Sequence, residues 1–228
     1  MTLELLDVIP KPDATELQSG ASLAAPLGSA FRSYHQEASV TIYHGDCREI
    51  VPTLSGYDLV LTDPPYPNYM EKEYGYHEGI IDWLAEIKCR QLIFWTPSAR
   101  FPLDWSGMRV WDKAVGTCTQ FELIYERNYG SGYKVHRYMT PHNRVRAQIC
   151  RDVCNEHPSQ KPIQLLTRLI GETEAQVILD PYAGSGTTGL AAKNLNKRAI
   201  LIEREERYCE IAARRLSQEV LPLGTPNK

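Results

Sequence analysis

The sequence contains no run of apolar residues long enough to cross a membrane. The first 13 residues lack a basic segment followed by an apolar core, so we expect no secretory signal and a cytoplasmic protein. The six cysteines are scattered through apolar or helical contexts, which is typical of reduced thiols rather than of a disulfide framework. With 228 residues, of which 43% are hydrophobic, the chain is predicted to form one α/β domain with a small embellishment.

The sequence also lacks a convincing set of metal ligands. Cys150, Cys154 and His157 lie close together in the chain, but their spacing offers no fourth ligand of the kind that zinc sites use. We therefore predict no metal site.

The most informative residues that are present form the tetrapeptide Asp63-Pro64-Pro65-Tyr66. The preceding residues, 57–62, predict a buried β-strand. Two consecutive prolines cannot continue a strand ladder, so the chain must leave the sheet there. A carboxylate, a free backbone carbonyl and an aromatic ring then lie at the carboxyl end of a strand, where open α/β sheets bind ligands. Taken alone, an ordinary strand-to-loop turn explains the tetrapeptide equally well.

A second strand followed by a glycine-rich turn decides between these two interpretations. Residues 175–179 predict another buried strand, and a helix is predicted over 190–195. Glycines in the turn allow positive φ and a close approach to a ligand, while the start of a helix offers free N–H groups to an anion. Glu203 ends the next predicted strand, 198–202, at a distance where an acid accepts hydrogen bonds from ribose hydroxyls in such folds. The pattern indicates an adenosine-containing cofactor. The turn consists of Asp180, Pro181, Tyr182, Ala183, Gly184, Ser185, Gly186 and Thr187.

Together these motifs resemble the β-type, circularly permuted DNA amino-methyltransferases, which use S-adenosylmethionine. In that family a D-P-P-Y site precedes a cofactor site D-P-F-x-G-S-G-T, and here Tyr182 replaces the usual Phe. Residues 44–47 (HGDC) resemble the family's acidic turn, and residues 157–162 (HPSQKP) resemble its H-P-x-x-K-P segment. Four motifs in the expected order, covering roughly residues 39–216, make the resemblance specific.

The resemblance implies a three-layer, Rossmann-like α/β methyltransferase fold with a mostly parallel sheet, an antiparallel edge strand and a circularly permuted motif order. Residues 39–216 would form the catalytic domain. A partly disordered tail (1–38) would precede it, and a second tail (217–228) would follow. Hydrophobic patterns further predict strands over 40–43, 90–95, 109–113 and 121–127, and helices over 48–54, 79–88, from 162 onward and over 206–220.

The resemblance also assigns roles to individual residues. Asp63 and the Pro64 carbonyl would each accept one N–H from the exocyclic amino group of a base flipped out of duplex DNA. The Pro64-Pro65 turn would fix both acceptors, and Tyr66 would stack on the base. The predicted cofactor-binding residues are Asp46 at the adenine, Ser159 and Lys161 at the carboxylate, Asp180, Tyr182, Gly184, Ser185, Gly186 and Thr187 along the glycine turn, and Glu203 at the ribose.

Two of these assignments have structural alternatives. Asp46 could simply cap the helix predicted over 48–54. Lys161 could be a solvated surface lysine, since lysines are mostly exposed.

The net charge of -3 does not suggest a nucleic-acid binder, but its distribution does. Residues 127–151 carry six basic and no acidic side chains, interleaved with tyrosines, glycines and a proline. We predict that residues 128–156 form a short, basic, mostly loop-like recognition insertion for double-stranded DNA. A solvated surface loop is the alternative. The residues predicted to contact DNA are Lys134, Arg137, Arg144 and Arg146.

Several functions remain compatible with the sequence. Asp63 favours N6 of adenine, because family members acting on cytosine N4 often carry Ser at this position. Methylation of cytosine N4, methylation of RNA adenine and a DNA-binding relative without catalysis are the alternatives. A nicotinamide-dependent dehydrogenase would explain the glycine turn and Glu203, but it gives Asp63 no task. The sequence leaves open a homodimer, a restriction partner and the recognition sequence.

Overall fold

One mixed β-sheet forms the centre of the described part of the protein. The computed structural model describes residues 31–67, 75–113, 121–130, 132–138 and 160–218. Across these ranges the sheet has nine strands in the order β1-β2-β9-β8-β3-β4-β6-β5-β7. The strands are β1 (His35–Gln36), β2 (Val40–His44), β3 (Leu59–Thr62), β4 (Arg90–Trp95), β5 (Gly107–Asp112), β6 (Phe121–Arg127), β7 (Tyr133–Arg137), β8 (Val177–Asp180) and β9 (Arg198–Glu203).

Helices cover both faces of this sheet. The described α-helices are α1 (Cys47–Ile50), α2 (Ile163–Gly171), α3 (Thr187–Asn194) and α4 (Glu206–Ser217), and two 3-10 helices span Val51–Thr53 and Asp82–Glu86. Helices α2, α3 and α4 bury apolar side chains such as Leu165, Leu190 and Cys209 against one face. Helix α1 and the 3-10 helices bury Ile50 and Leu84 on the other face. The result is the predicted three-layer arrangement, in which each sheet face is shielded from water.

The central strands β2, β9, β8, β3 and β4 all run parallel, so their carboxyl ends meet at one edge. All four residues of β3 and of β8 are buried, as expected for strands covered on both faces. Strand β6 runs antiparallel to β4 and β5, and β1 runs antiparallel to β2. The prediction of a mostly parallel sheet with an antiparallel component is confirmed.

Three local predictions need correction. The helix predicted over 79–88 is a turn, in which Gly79 has a left-handed φ of +79°, followed by the 3-10 helix Asp82–Glu86. A single helix is predicted over 48–54. In the structure, α1 ends at Ile50 and the 3-10 helix Val51–Thr53 follows, in which Pro52 provides no backbone N–H. Helix α3 begins at Thr187, directly after the glycine turn, and not at residue 190.

The segment predicted as mostly loop contains a strand. Tyr133–Arg137 forms β7, which pairs in parallel with β5, so β7 and not the β5–β6 pair lies at this edge of the described sheet. The predicted tail 1–38 likewise includes β1, whose His35 and Gln36 pair with β2. Strand β7 pairs with a strand about 25 residues earlier, which no local pattern reveals, whereas β1 forms a hairpin with β2 only five to seven residues later. Within the described ranges, no helix has the length and hydropathy needed to span a membrane.

Candidate active site

A cavity at the carboxyl edge of the sheet brings the two main motifs together. Strands β3 and β8 are parallel neighbours, so the turns that follow them adjoin. The predicted site residues that line the cavity are Asp46, Asp63, Pro64, Pro65, Tyr66, Lys161, Asp180, Tyr182, Gly184, Ser185, Thr187 and Glu203. Gly186 lies in the same turn without lining the cavity. Ser159, Arg144 and Arg146 lie outside the described residues.

One oxygen of the Asp63 carboxylate has a hydrogen-bond donor, and the other is buried without one in the part of the chain that the structure describes. Its Oδ2 accepts a hydrogen bond from the Lys161 ammonium. Its Oδ1 is buried and has no hydrogen-bond partner among the described residues. A buried acceptor without a donor is costly unless something binds there. The Asp63 side chain as a whole lines the cavity and is 25% exposed, so it places a carboxylate at the site.

Lys161 is buried in contact with carboxylates, so the alternative of a solvated surface lysine is wrong. Its Nζ also lies 3.3 Å from Glu122 Oε2 and 5.1 Å from the centre of the Phe94 ring. Burial lowers the pKa of Lys161, but Asp63 and Glu122 raise it more, and the net shift is upward. The lysine is thus held as a cation next to Asp63, and its predicted contact with a cofactor carboxylate stays a prediction.

The pKa of Asp63 is raised by burial, lowered by the adjacent Lys161 and raised again by Glu122, with an upward net shift. The Glu122 pKa moves downward, because Lys161 and Lys113 together outweigh the effect of its burial. Opposite directions for two carboxyls beside one lysine follow from their partners, since Glu122 contacts two cations and Asp63 contacts one.

Asp180 has a different environment, although it also ends a strand and precedes a proline. Its Oδ1 accepts from Thr62 Oγ1 at 2.7 Å and from the Tyr182 N–H at 3.2 Å. Its Oδ2 accepts from Thr188 Oγ1 at 2.5 Å. Burial raises the Asp180 pKa to about 6 despite these hydrogen bonds. Asp180 lines the cavity, but its oxygens tie β3, the glycine turn and α3 together.

The glycine turn has the left-handed backbone that its sequence predicts. Gly184 has φ +50° and Gly186 has φ +77°, which other residues adopt only with strain. A Cβ at Gly186 would lie 2.8 Å from the Ala212 Cβ, so this glycine also permits close packing of α4. Glu203 Oε2 accepts from the Gly184 N–H at 2.8 Å, and Oε1 accepts from the Glu205 N–H at 2.8 Å. Burial raises the pKa of Glu203.

Arg215 donates hydrogen bonds to the glycine turn, a role that is not predicted from the sequence. Its Nη1 donates to the Ser185 carbonyl at 2.5 Å, to Ser185 Oγ at 2.9 Å and to Thr187 Oγ1 at 3.3 Å. Arg215 lies in the last turn of α4, where a basic residue is ordinary on any helix. No local signal distinguishes it, because its partners lie 28 to 30 residues earlier in the chain.

Tyr182, which replaces the family's usual Phe, forms two hydrogen bonds through its hydroxyl. The hydroxyl donates to the Ile80 carbonyl at 3.1 Å and accepts from Trp83 Nε1 at 3.3 Å. These bonds connect the turn after β8 to the segment before β4. The departure from the family pattern thus has a structural role in this chain.

Asp46 caps α1, as the alternative interpretation of the sequence proposes. Its Oδ1 accepts from the Arg48 N–H at 2.9 Å, and the Arg48 guanidinium also contacts the carboxylate. Hydrogen bonding to Arg48 lowers the pKa of Asp46. Because Asp46 also lines the cavity, capping and cofactor binding are compatible, and the second role stays a prediction.

Two of the four residues predicted to contact DNA lie on the edge strand β7. Lys134 Nζ is 2.9 Å from Glu172 Oε2, and Arg137 Nε is 2.7 Å from Asp112 Oδ2. The Arg137 side chain is nevertheless 75% exposed. Exposed ion pairs of this kind are weak and could be exchanged for contacts to phosphate.

No group of three or more His, Cys, Asp or Glu residues in the described ranges is arranged to hold a metal ion. Cys150, Cys154 and His157 lie outside those ranges.

Comparisons with known proteins find similarity to DNA methylases and type II methyltransferases. Residues 105–214 match the family model N6_N4_Mtase, described as DNA methylase. The type II methyltransferase M.ScaI of Streptomyces caespitosus is 24% identical over 84% of this chain and 86% of its own. The type II methyltransferase M2.DpnII of Streptococcus pneumoniae is 50% identical over 66 residues, and this match spans only 25% of that relative's length.

The fold also matches a solved structure. The M1.HpyAVI–SAM complex superposes with a TM-score of 0.53 at 23% identity, covering 78% of this chain and all of the other. The predicted fold class and the resemblance drawn from the four motifs are both confirmed. Over residues 105–214, just under half of its length, the chain is similar to the N6/N4 DNA methylases.

Proposed function

We propose that the protein transfers a methyl group from S-adenosylmethionine to the exocyclic amino group of a base in double-stranded DNA, with adenine N6 as the target. The observation that carries this proposal is the Asp63 carboxylate, which lines the cavity beside the glycine turn and is 25% exposed. An amino group is a ligand that can donate to this carboxylate. The type II methyltransferases to which the chain is similar agree with such a substrate.

Asp63 and Pro64 address the difficulty of the reaction. An exocyclic amino group is a poor nucleophile because its lone pair is delocalised into the ring. Acceptance of one N–H by the Asp63 carboxylate and of the other by the Pro64 carbonyl would draw the nitrogen toward a tetrahedral shape. The nitrogen that gains a methyl group must lose a proton. Asp63, whose pKa is raised mainly by burial, is suited to receive it.

Tyr66 is positioned to hold the base. Its ring lines the cavity and makes an edge contact with Trp95, with ring centres 6.0 Å apart. A base in duplex DNA must leave the helix to reach such a pocket, and aromatic stacking stabilises it there. Lys134, Arg137, Arg144 and Arg146 would neutralise phosphates of the flanking duplex.

The residues of the glycine turn fit the cofactor. Each carboxylate oxygen of Glu203 accepts one backbone N–H and retains lone pairs for ribose hydroxyls. The left-handed Gly184 brings the backbone of the turn to the cavity without a side chain. When bound, S-adenosylmethionine supplies an electrophilic methyl group on its sulfonium. M1.HpyAVI was solved as a complex with this cofactor.

Product analysis tests the target base. The purified protein is incubated with labelled S-adenosylmethionine and, in separate reactions, unmodified duplex DNA or RNA, and the nucleic acid is digested to nucleosides for mass spectrometry. We expect N6-methyladenine. N4-methylcytosine alone would overturn the choice of base, label in RNA but not DNA would overturn the choice of nucleic acid, and no label in either would contradict the transferase activity.

Ligand-dependent melting tests the cofactor separately. S-adenosylhomocysteine is expected to raise the Tm of the protein, and NAD is not. Glu203→Gln should lose most of that rise, because an amide replaces one of the two acceptor oxygens. Glu210→Gln, an exposed position on α4, is the matched control and should retain it. Stabilisation by NAD instead would favour the dehydrogenase alternative.

A further inference from the structure

Behind Asp63 lies a buried row of alternating charges that the proposed chemistry does not yet use. Lys161 contacts Asp63 on one side and Glu122 on the other, and Glu122 Oε1 lies 2.5 Å from Lys113 Nζ. Glu122 is only 8% exposed and does not line the cavity. It therefore cannot act on a ligand directly.

The four charges of this row compensate one another. Two carboxylates and two ammonium groups are neutral together, whereas any one of these charges buried alone would be strongly unfavourable. Lys161 is further confined by the rings of Phe94 and Trp111, whose centres lie 5.1 and 5.9 Å from its Nζ. With carboxylates on both sides, the ammonium has little freedom to leave Asp63.

The orientation of Asp63 follows from this arrangement. A free carboxylate can rotate about its Cβ–Cγ bond, but the hydrogen bond from Lys161 to Oδ2 fixes the orientation of the Asp63 carboxylate, which lines the cavity. Glu122 contacts Lys161 and thereby keeps this lysine next to Asp63. Glu122 itself lies on β6, and no residue of β6 lines the cavity.

We propose that Glu122 is a positioning residue for methyl transfer, acting through Lys161 to fix the orientation of the Asp63 carboxylate that meets the amino group of the substrate. The inference rests on the proposed function of Asp63. It assigns Lys161 to the base side of the site and not to the cofactor carboxylate.

The arrangement has a consequence for pH dependence. The Glu122 charge raises the pKa of Asp63, whereas Lys161 and Lys113 lower it. Removal of the Glu122 charge should therefore lower that pKa, and the acid limb of activity should move to lower pH. The charged and titratable groups around Asp63 and Lys161 are Glu122, Lys113, Tyr66 and Asp180.

The main experiment compares two isosteric substitutions on the same strand. Glu122→Gln removes the charge next to Lys161. Glu126→Gln removes an equally buried charge that pairs instead with Arg90 and Arg109. The kcat and the kcat/KM for DNA are measured from pH 5 to 9. For Glu122→Gln we expect a roughly tenfold loss of kcat, an acid limb displaced by about one pH unit and an unchanged affinity for S-adenosylhomocysteine. Glu126→Gln should keep the wild-type acid limb, so equal limbs in all three proteins would overturn the proposal.

A second measurement needs no activity. The Asp63 carboxyl carbon is followed by ¹³C NMR during a pH titration, with its signal assigned by its loss in Asp63→Asn. A lower midpoint in Glu122→Gln supports the positioning role even if the wild type methylates nothing, which would contradict only the proposed function. An active wild type with an unmoved midpoint in Glu122→Gln overturns the positioning role alone.

Lys113→Met gives a test of opposite sign if Glu122→Gln does not fold. Lys113 lowers the pKa of Asp63, so its removal should raise the titration midpoint. A midpoint that stays at the wild-type value would overturn the proposal.

Discussion

The turns after β3 and β8 begin with the same dipeptide, Asp-Pro, on neighbouring parallel strands, yet their carboxylates behave differently. Asp180 accepts hydrogen bonds on both oxygens, from Thr62, Tyr182 and Thr188. Asp63 has a lysine on one oxygen and no partner among the described residues on the other. A carboxylate saturated by its own chain fixes the shape of a site, whereas one with a spare acceptor can act on a substrate.

The two turns also depend on each other. Thr62, which donates to Asp180, directly precedes Asp63 in the chain. The saturated carboxylate thereby fixes the end of the strand that carries the open one. Substitutions at the two aspartates should consequently affect different properties of the protein.

The largest expected effect is on catalysis, in Asp63→Asn. The amide retains the size of the side chain but loses the charge that attracts the amino proton, so the methylation rate should fall about a thousandfold or more. S-adenosylhomocysteine should still raise the Tm as in the wild type, because Asp63 belongs to the base side of the site. Equal losses of activity and cofactor binding would contradict the division between the two turns.

An effect of intermediate size concerns stability and pH, in Asp180→Asn. The pKa of Asp180 is about 6 in the folded protein, against 3.8 without burial. The folded state therefore holds this proton more tightly than the unfolded state. The stabilising contribution is complete below pH 4 and is lost as the pH rises through 6. The advantage of the wild type over Asp180→Asn should shrink by on the order of 2–3 kcal/mol over that window.

Urea unfolding of both proteins at intervals between pH 4.5 and 7.5 measures this difference, since ionisations elsewhere cancel between them. A difference that is constant with pH would mean that Asp180 does not titrate as its burial requires. A difference that grows with pH would mean that folding lowers the pKa of Asp180 and does not raise it.

The smallest expected effect is in Tyr182→Phe, which restores the residue usual in the family. The variant loses the hydrogen bonds to the Ile80 carbonyl and Trp83 Nε1, and should be less stable by about 1 kcal/mol. Tyr133→Phe, at a residue that is 75% exposed, is the control and should unfold like the wild type. Unchanged stability in Tyr182→Phe would show that the hydroxyl does not strengthen the turn after β8.

Much of the fold and of the site could be predicted because the informative segments are local. Strands β3 and β8 are short apolar runs ended by Asp-Pro, and Gly184 and Gly186 mark a backbone that needs positive φ. The helix predicted over 79–88 is wrong, because the prediction relied on the spacing of apolar residues and did not take account of Gly79 as a turn residue. Strand β7 was missed because its backbone partners lie on β5, about 25 residues earlier.

The sequence by itself determined which chemical groups the site contains, because motif residues carry their chemistry wherever the chain places them. Only the tertiary structure decided what each group does. Lys161 lies 98 residues after Asp63, and Glu122 lies on a different strand from both, so no local pattern relates these residues. Packing against a shared sheet edge gives both oxygens of Asp180 hydrogen-bond donors, leaves one oxygen of Asp63 without a donor among the described residues and brings Arg215 to the glycine turn. These outcomes depend on burial and on partners distant in sequence, which exist only once the chain is folded.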